Sequence, residues 1–366
     1  MAKPLIFTFL GPWPSIWEEQ VVEGARRAAT LDSLERALAT GAYERAVIIT
    51  PDPEPLEAVP SGVHVEVAKG PFHFGLRLQE AVERWRPEAL VYVGGGALPL
   101  LSADEWAAVA LALADGRAVT NNLYSSDLIG VCPARSLLSV EPPKRDNALA
   151  RSLAQAGLSV WEMPRTLSTV FDLDTPADVA VLKVTGYASG YRLSRWASRV
   201  PLDTRRYHDL LKVLVDSEAQ LFVAGRVGSH IWRFLEVNTA CRVRLLAEER
   251  GLEALGLQQP RSLLGFLWEA LGEETLAALL HQLGDAAVID TRVLMAHLGV
   301  KASRRDRFLS DMGRFWAIED GRLRRLTSAL VRAEVPVLLG GHSLVTGGLM
   351  ALVQFAWQQQ DKGQLR

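Results

Sequence analysis

The stretch Ala89-Leu-Val-Tyr-Val-Gly-Gly-Gly-Ala-Leu-Pro-Leu-Leu-Ser-Ala-Asp104 decides the fold. Its apolar start is too short for a helix and does not alternate, so Ala89 to Val93 reads as a strand buried on both faces. Three glycines free the backbone at its end, and Ser102 then caps a helix through Leu113. The same strand-loop-helix unit recurs upstream. Leu5 to Leu10 is a strand stopped by the prolines of Gly11-Pro-Trp-Pro14. Thr30 caps a helix through Ala39, with Leu31, Leu34 and Leu38 on one face and Gly41 ending it. Ala46 to Thr50 is the next strand, and Gly75 to Trp85 the next helix, closed by Pro87. Downstream, strands Ala118 to Thr120 and Leu128 to Val131 flank the polar turn Asn121-Asn-Leu-Tyr-Ser-Ser-Asp127. A helix Asn147 to Gln155 and a strand Leu158 to Met163 follow. In Ser168-Thr-Val-Phe-Asp-Leu-Asp-Thr-Pro-Ala-Asp178, Thr175 caps a helix with Pro176 at its first position. Alternation of this kind implies a mostly parallel, Rossmann-like α/β sheet.

Beyond Gly186 helical patterns dominate: Tyr207 to Val215, His230 to Glu249, Pro260 to Leu271, Glu274 to Leu283 and Arg322 to Glu334. One late strand, Val335 to Leu339, runs into Gly340-Gly-His-Ser-Leu-Val-Thr-Gly-Gly348. A chain of 366 residues exceeds one ordinary core. Two domains are therefore expected, an α/β domain over 1–190 and a mainly helical one over 200–366.

With 49% hydrophobic and 22% charged residues and a formal charge of -2, the chain has no bulk field for nucleic acid or an anionic membrane. Any anion must meet a local site. Two cysteines, Cys132 and Cys241, build neither a disulfide framework nor a zinc site. The absence of an 18-residue apolar run argues against a membrane span. A cytoplasmic, soluble protein is the expectation, with self-association left open.

Three motifs, in order, carry a resemblance: Leu98-Pro-Leu-Leu101 after a buried strand, Thr120-Asn-Asn-Leu123, and Asp172-Leu-Asp-Thr-Pro-Ala-Asp178. Residues 1–185 resemble the 2-phospholactate guanylyltransferases and, more loosely, the molybdenum-cofactor nucleotidyltransferases. The resemblance implies a nucleotidyltransferase (GT-A type) fold and a nucleoside triphosphate as one partner, with a small phosphorylated or hydroxylated acceptor as the other. It also implies Mg²⁺ held by aspartates at strand ends, which neutralises charge on the reacting phosphate. Carried over residue by residue, Asp174 becomes the metal ligand and, with Asp172, the catalytic pair. Thr120 and Asn121 become nucleotide contacts by the same resemblance, while Gly94, Gly95 and Gly96, which let a backbone approach a phosphate or sugar, and Asn122 and Ser126, as donors and acceptors of the polar turn, are candidates on their own chemistry.

The chain departs from that pattern twice. Ala97 stands where the family places its first metal aspartate, just before Leu98-Pro-Leu-Leu101. The loop after the first strand, Gly11 to Ser15, has two prolines without N–H groups and no basic residue before Arg26 and Arg27, a poor phosphate cradle. Loss of a metal carboxylate costs on the order of a thousandfold in rate, so another acid substitutes or the domain is redirected.

Each candidate has a plainer reading. Asp172 and Asp174 fit helix-entry chemistry before Pro176, the three glycines fit a tight strand-helix loop, and Asn121 to Asp127 fits a surface turn. Lys144 to Asn147 precedes a helix, where an anion or only solvent would be met. In the second domain Gly341-His-Ser-Leu-Val345 lacks the glycine a nucleophile elbow needs at its last position, so a hydrolase is rejected. Gly341, His342 and Ser343 remain candidates for a phosphate or sugar-phosphate nest. Arg226 and His230, and the group Asp290, Arg292, His297 and Asp306, are polar without a recognisable pattern. Three possibilities stand open: a nucleotidyltransferase-like enzyme, or a glycosyltransferase-type one on the same sheet; a catalytically silent nucleotide- or metabolite-binding scaffold; and chemistry in the second domain around Asp290, Arg292, His297, Asp306 and the loop His342-Ser343. Asp127 and Asp178 are further carboxylates available to the first.

Overall fold

A computed structural model describes residues 3–113, 116–248 and 261–365. Two compact units emerge, and their chain segments interleave: the first holds 1–14, 23–172 and 188–196, the second 15–22, 173–187 and 197–366. The sequence boundary near 190 thus becomes a series of exchanges. The helix Pro176–Thr185, expected to close the first domain, belongs to the second unit.

The first unit is a seven-stranded sheet of β1 (Leu5–Phe9), β2 (Ala46–Thr50), β3 (Val63–Val67), β4 (Leu90–Val93), β5 (Arg117–Thr120), β6 (Leu128–Cys132) and β7 (Ser159–Glu162), in the order β3-β2-β1-β4-β6-β5-β7. All pairs are parallel except those of β6, which runs antiparallel to β4 and β5. Leu5 pairs with Leu90 and Phe7 with Tyr92, the expected parallel contact between the two apolar runs. Alternate residues serve opposite cores. Ile6, Ile48 and Val91 pack with Leu34 and Trp106 on one face, while Phe7, Val47 and Leu90 pack with Phe74 and Leu78 on the other. That double burial is why these strands read as continuous apolar runs. β3 was not expected, because His64 and Glu66 interrupt its apolar pattern at the sheet edge.

Ser102 caps the helix Ala103–Ala112 in a reciprocal box with Glu105. Thr30 does not start a helix. The helix runs Trp17–Ala39, and Thr30 Oγ1 donates back to the carbonyl of Arg26 within it while accepting from Gly96 N–H.

The second unit is helix-rich, yet its helices surround a parallel sheet of β8 (Gln220–Gly225), β9 (Arg242–Ala247), β10 (Ala286–Asp290) and β11 (Val337–Gly340), ordered β11-β10-β8-β9. The expected helix His230 to Glu249 is instead the helix Ser229–Asn238 followed by β9. Its break falls where Asn238, Thr239 and Cys241, all poor helix formers, coincide. Glu249 and Pro260, the outer ends of two expected helices, lie outside the described residues. Phe222, Ile289 and Leu339 carry one face of the sheet into a core with Leu276, Leu280, Leu326 and Leu330. No helix among the described residues is long and apolar enough to cross a membrane.

Candidate functional sites at the carboxyl edges of the two sheets

Open parallel sheets bind ligands beyond the carboxyl ends of their strands. In the first unit that edge holds Gly94, Gly95 and Gly96. Two of the three glycines are demanded by packing. A Cβ on Gly95 would stand 2.6 Å from the Phe9 carbonyl and from Leu10, and one on Gly96, whose φ is +79°, would stand 2.6 Å from Arg26 Cβ. Arg26 Nε donates to the Gly95 carbonyl at 2.8 Å. Gly94 differs: its missing Cβ points to ordinary contact distances, 3.4 Å from Ala97 Cβ, 3.6 Å from the Asp127 carbonyl and 3.7 Å from Asp146 Oδ2. Ala97 and the carboxyl of Asp146 therefore flank one point above Gly94.

Asp146 was read in the sequence only as part of a helix-entry loop. The Tyr92 hydroxyl donates to its Oδ2 at 3.1 Å, and Ser126 Oγ donates to its backbone carbonyl at 2.9 Å. Burial pushes the Asp146 carboxyl up, while the Tyr92 hydroxyl, the Asn147 amide and the charge of Arg26 pull it back. No sequence motif marks this arrangement, since Gly94 and Asp146 meet only through the tertiary fold.

The turn after β5 is built by Asn121. Its Oδ1 accepts from the N–H groups of Asp127 and Leu128, and its Nδ2 donates to Asp127 Oδ2 and to the Thr169 carbonyl. Thr120 Oγ1 donates to the Leu128 carbonyl. Thr120, Asn121 and Ser126 are buried and hold the loop with these bonds. Asn122, half-buried, accepts from Tyr124 N–H through Oδ1. What these residues bring to Gly94 is Asp127, whose carbonyl accepts from Gly94 N–H at 2.8 Å.

The loop after β1 is committed internally. Trp13 N–H donates to Asp52 Oδ2 at 2.8 Å, and buried Arg27 donates to the Gly11 carbonyl at 2.7 Å while lying over the Trp13 ring. Pro12 and Pro14 lack N–H groups, so with Trp13 N–H held by Asp52 the loop has few backbone donors left.

Asp172 lies in the first unit and Asp174 in the second. Asp174 and the three candidates of the late loop, distant in sequence, come together there. His342 Nδ1 stands 3.8 Å from Asp174 Oδ2, both side chains being 37% exposed. Gly341 lies against Thr175. Ser343 Oγ donates to Asp178, with both carboxyl oxygens at 2.8 Å. Asp178 also accepts from the N–H groups of Asp174 and Thr175 and from the Thr175 hydroxyl, so it is the reciprocal cap of the Pro176–Thr185 helix. Burial, then the charge of Asp174, raises its carboxyl to about 7 against these donors. At the end of β10 Asp290 takes Arg226 at 2.6 Å, and Asp311, at the end of the helix Arg304–Asp311, takes Arg292 at 2.5 Å. His297 Nδ1 accepts from Ser262 N–H while its Nε2 stands 3.4 Å from Glu269 Oε2, and the Asp306 carboxylate accepts from the N–H groups of Glu319 and Asp320. The segment Leu344–Gly348 continues as a π-turn into the helix Leu349–Asp361, not as a nucleophile elbow.

No protein-family model and no curated protein matches the chain. Among solved structures it is similar to a nucleotidyl transferase from Methanothermobacter thermautotrophicus, at 13% identity over 48% of this chain and 94% of that one, with a TM-score of 0.37. It is similar to a CMP:2-keto-3-deoxy-manno-octonic acid synthetase complexed with CTP, at 14% identity over 48% and 95%, with a TM-score of 0.32. A cytidylyltransferase from Leptospira borgpetersenii matches at 15% identity over 52% and 88%, with a TM-score of 0.38.

Proposed function

We propose that the first unit binds a nucleoside triphosphate at the carboxyl edge of β1 and β4 and transfers its nucleotidyl group to a small phosphorylated or hydroxylated acceptor. The acceptor oxygen would attack the α-phosphorus, and pyrophosphate would leave. The observation that supports this reading is Asp146 beside Gly94 and Ala97, a carboxyl group supplied from elsewhere in the chain where the motif has lost its own. Gly94 keeps the backbone bare beside these groups, and Arg26 contributes positive charge along the same loop.

Among the described residues no three His, Cys, Asp or Glu side chains form a metal cluster. Mg²⁺ needs only one or two carboxylates when phosphates complete its shell, and Asp146 and Asp127 are the residues that would share an ion carried in by the nucleotide. The ion would lower the charge on the phosphate under attack. Asp174, the ligand that the motif implies, has His342 and Asp178 as its neighbours.

The second reading, a binding domain without turnover, is favoured by the Gly11–Pro14 loop, whose Trp13 N–H is bound to Asp52 and whose Gly11 carbonyl is held by Arg27. One experiment separates the two. Thermal shift with ATP, GTP, CTP and UTP, with and without Mg²⁺, identifies a nucleotide, since a ligand at 100 times its Kd adds about 2.7 kcal/mol. Pyrophosphate release with phosphorylated and hydroxy-acid acceptors then distinguishes transferase from scaffold. No shift with any triphosphate would refute both readings of this edge.

A further inference from the structure

The second unit contains a cleft that the nucleotide reading does not use. It is open to solvent and lies against β11, the edge strand of its sheet. Pro176 and Ala180 line it from one helix, Arg206 and Tyr207 from the helix Arg205–Leu214, and Met312 and Leu339 complete an apolar wall.

The charges around the cleft do not balance. Asp311 is occupied by Arg292, whose Nη1 and Nη2 reach its two oxygens at 2.7 and 2.5 Å. Asp203 takes the neighbouring Arg205 at 2.6 Å, and that contact holds its carboxyl down to about 2. Arg206 has no such partner: its Nη2 donates to the Val331 carbonyl at 2.8 Å, and no carboxylate of the described residues lies within ion-pair distance. Burial pulls the Arg206 guanidinium down, with the field of Asp203 opposing.

Tyr207 supplies the second sign. It is only 6% exposed, and no described residue hydrogen-bonds its hydroxyl. The hydroxyl oxygen is not sealed from solvent, so it is a donor that a ligand in the cleft can meet. Burial raises the hydroxyl far above its ordinary range, so it stays a neutral donor.

We propose that this cleft binds a compact organic monocarboxylate, whose carboxylate accepts from Arg206 and Tyr207 and whose short aliphatic or ring body lies on the apolar wall. One guanidinium and one neutral hydroxyl match a single negative charge. A phosphate dianion would bring a second charge toward Asp203 and Asp311. The site lies wholly within the second unit and does not rest on the nucleotide reading.

The test is calorimetry on the full chain with isovalerate and benzoate as probes, and with isovaleramide, isoamyl alcohol and inorganic phosphate as controls. At least one carboxylate should bind, with its amide or alcohol analogue weaker by about tenfold or more, the worth of a charge-assisted hydrogen bond. Arg206→Met and Tyr207→Phe should each weaken that carboxylate by about tenfold, with nucleotide-induced thermal shifts unchanged. Tyr207→Phe removes one oxygen and keeps the packing, so it stays informative if Arg206→Met does not fold. Equal binding of the amide, full retention of binding in Tyr207→Phe, or no carboxylate binding at millimolar concentration would overturn the proposal.

Discussion

Asp178 shows how one residue serves two distant segments. It caps the Pro176–Thr185 helix and accepts from Ser343, which is 165 positions away. Its folded-state carboxyl, at about 7, lies above the unfolded value near 3.8. The folded chain therefore binds more protons than the unfolded one between these values, and the contribution of Asp178 to stability falls as pH rises from about 4 to about 7, then levels off. Urea unfolding at pH 5 and pH 8 should show a loss on the order of a few kcal/mol traceable to this group. Asp178→Asn should flatten that difference; an unchanged pH dependence would contradict the assignment. Because the Ser343 hydroxyl lowers the Asp178 carboxyl, Ser343→Ala should move it further up, readable by carboxyl NMR titration. The capping half of this role was legible in Thr175-Pro-Ala-Asp178, because caps act over three residues. The Ser343 half was not, because nothing local marks a contact across so much chain. Asp146 is hidden for the same reason: its neighbours Tyr92 and Gly94 are brought to it by sheet pairing.

Among the elements, the glycine loop after β4 separates packing from binding. A side chain on Gly96 meets both a left-handed backbone and Arg26 at 2.6 Å. Gly96→Ala should therefore cost about 2–5 kcal/mol in chemical unfolding. Gly94→Ala meets only contacts of 3.4 Å or longer, so it should leave stability within about 1 kcal/mol while weakening nucleotide binding. The reverse pattern would mean that Gly94 serves the fold and Gly96 the ligand. Strands of the first sheet were readable because both faces are buried and their apolar runs are uninterrupted. In the second unit β8 and β10 are equally apolar, in Leu221-Phe-Val-Ala224 and Ala286-Ala-Val-Ile289, but they sit between long helical patterns that mask runs of four or five residues. β9 alternates Arg242, Val243, Arg244 and Leu245 at the sheet edge, but Leu245-Leu-Ala247 ends the alternation after four residues, too few to stand out beside the preceding helix.

For the whole molecule, interleaved segments mean that a cut near residue 190 does not release a complete domain. A fragment 1–190 would carry the helix Pro176–Thr185, with Val179, Val181 and Leu182 buried in the intact chain, away from the β11 and Leu349–Asp361 elements it packs on. It would also lose Leu193, whose N–H donates to Asp32 Oδ2 at 2.8 Å, and the Arg192–Asp32 ion pair. Such a fragment should bind hydrophobic dye and aggregate on size-exclusion chromatography, whereas the full chain should not; a monodisperse, cooperatively unfolding fragment would contradict this. The central claim, a nucleotide at the edge marked by Gly94 and Asp146, is tested most directly by calorimetry of the triphosphate selected by thermal shift, with Mg²⁺, on wild type, Asp146→Asn and Ala97→Asp. Affinity should be about tenfold weaker in Asp146→Asn and stronger in Ala97→Asp, with both differences shrinking when Mg²⁺ is removed. Tight wild-type binding unchanged by either substitution would place the nucleotide elsewhere and refute a site at Gly94 and Asp146.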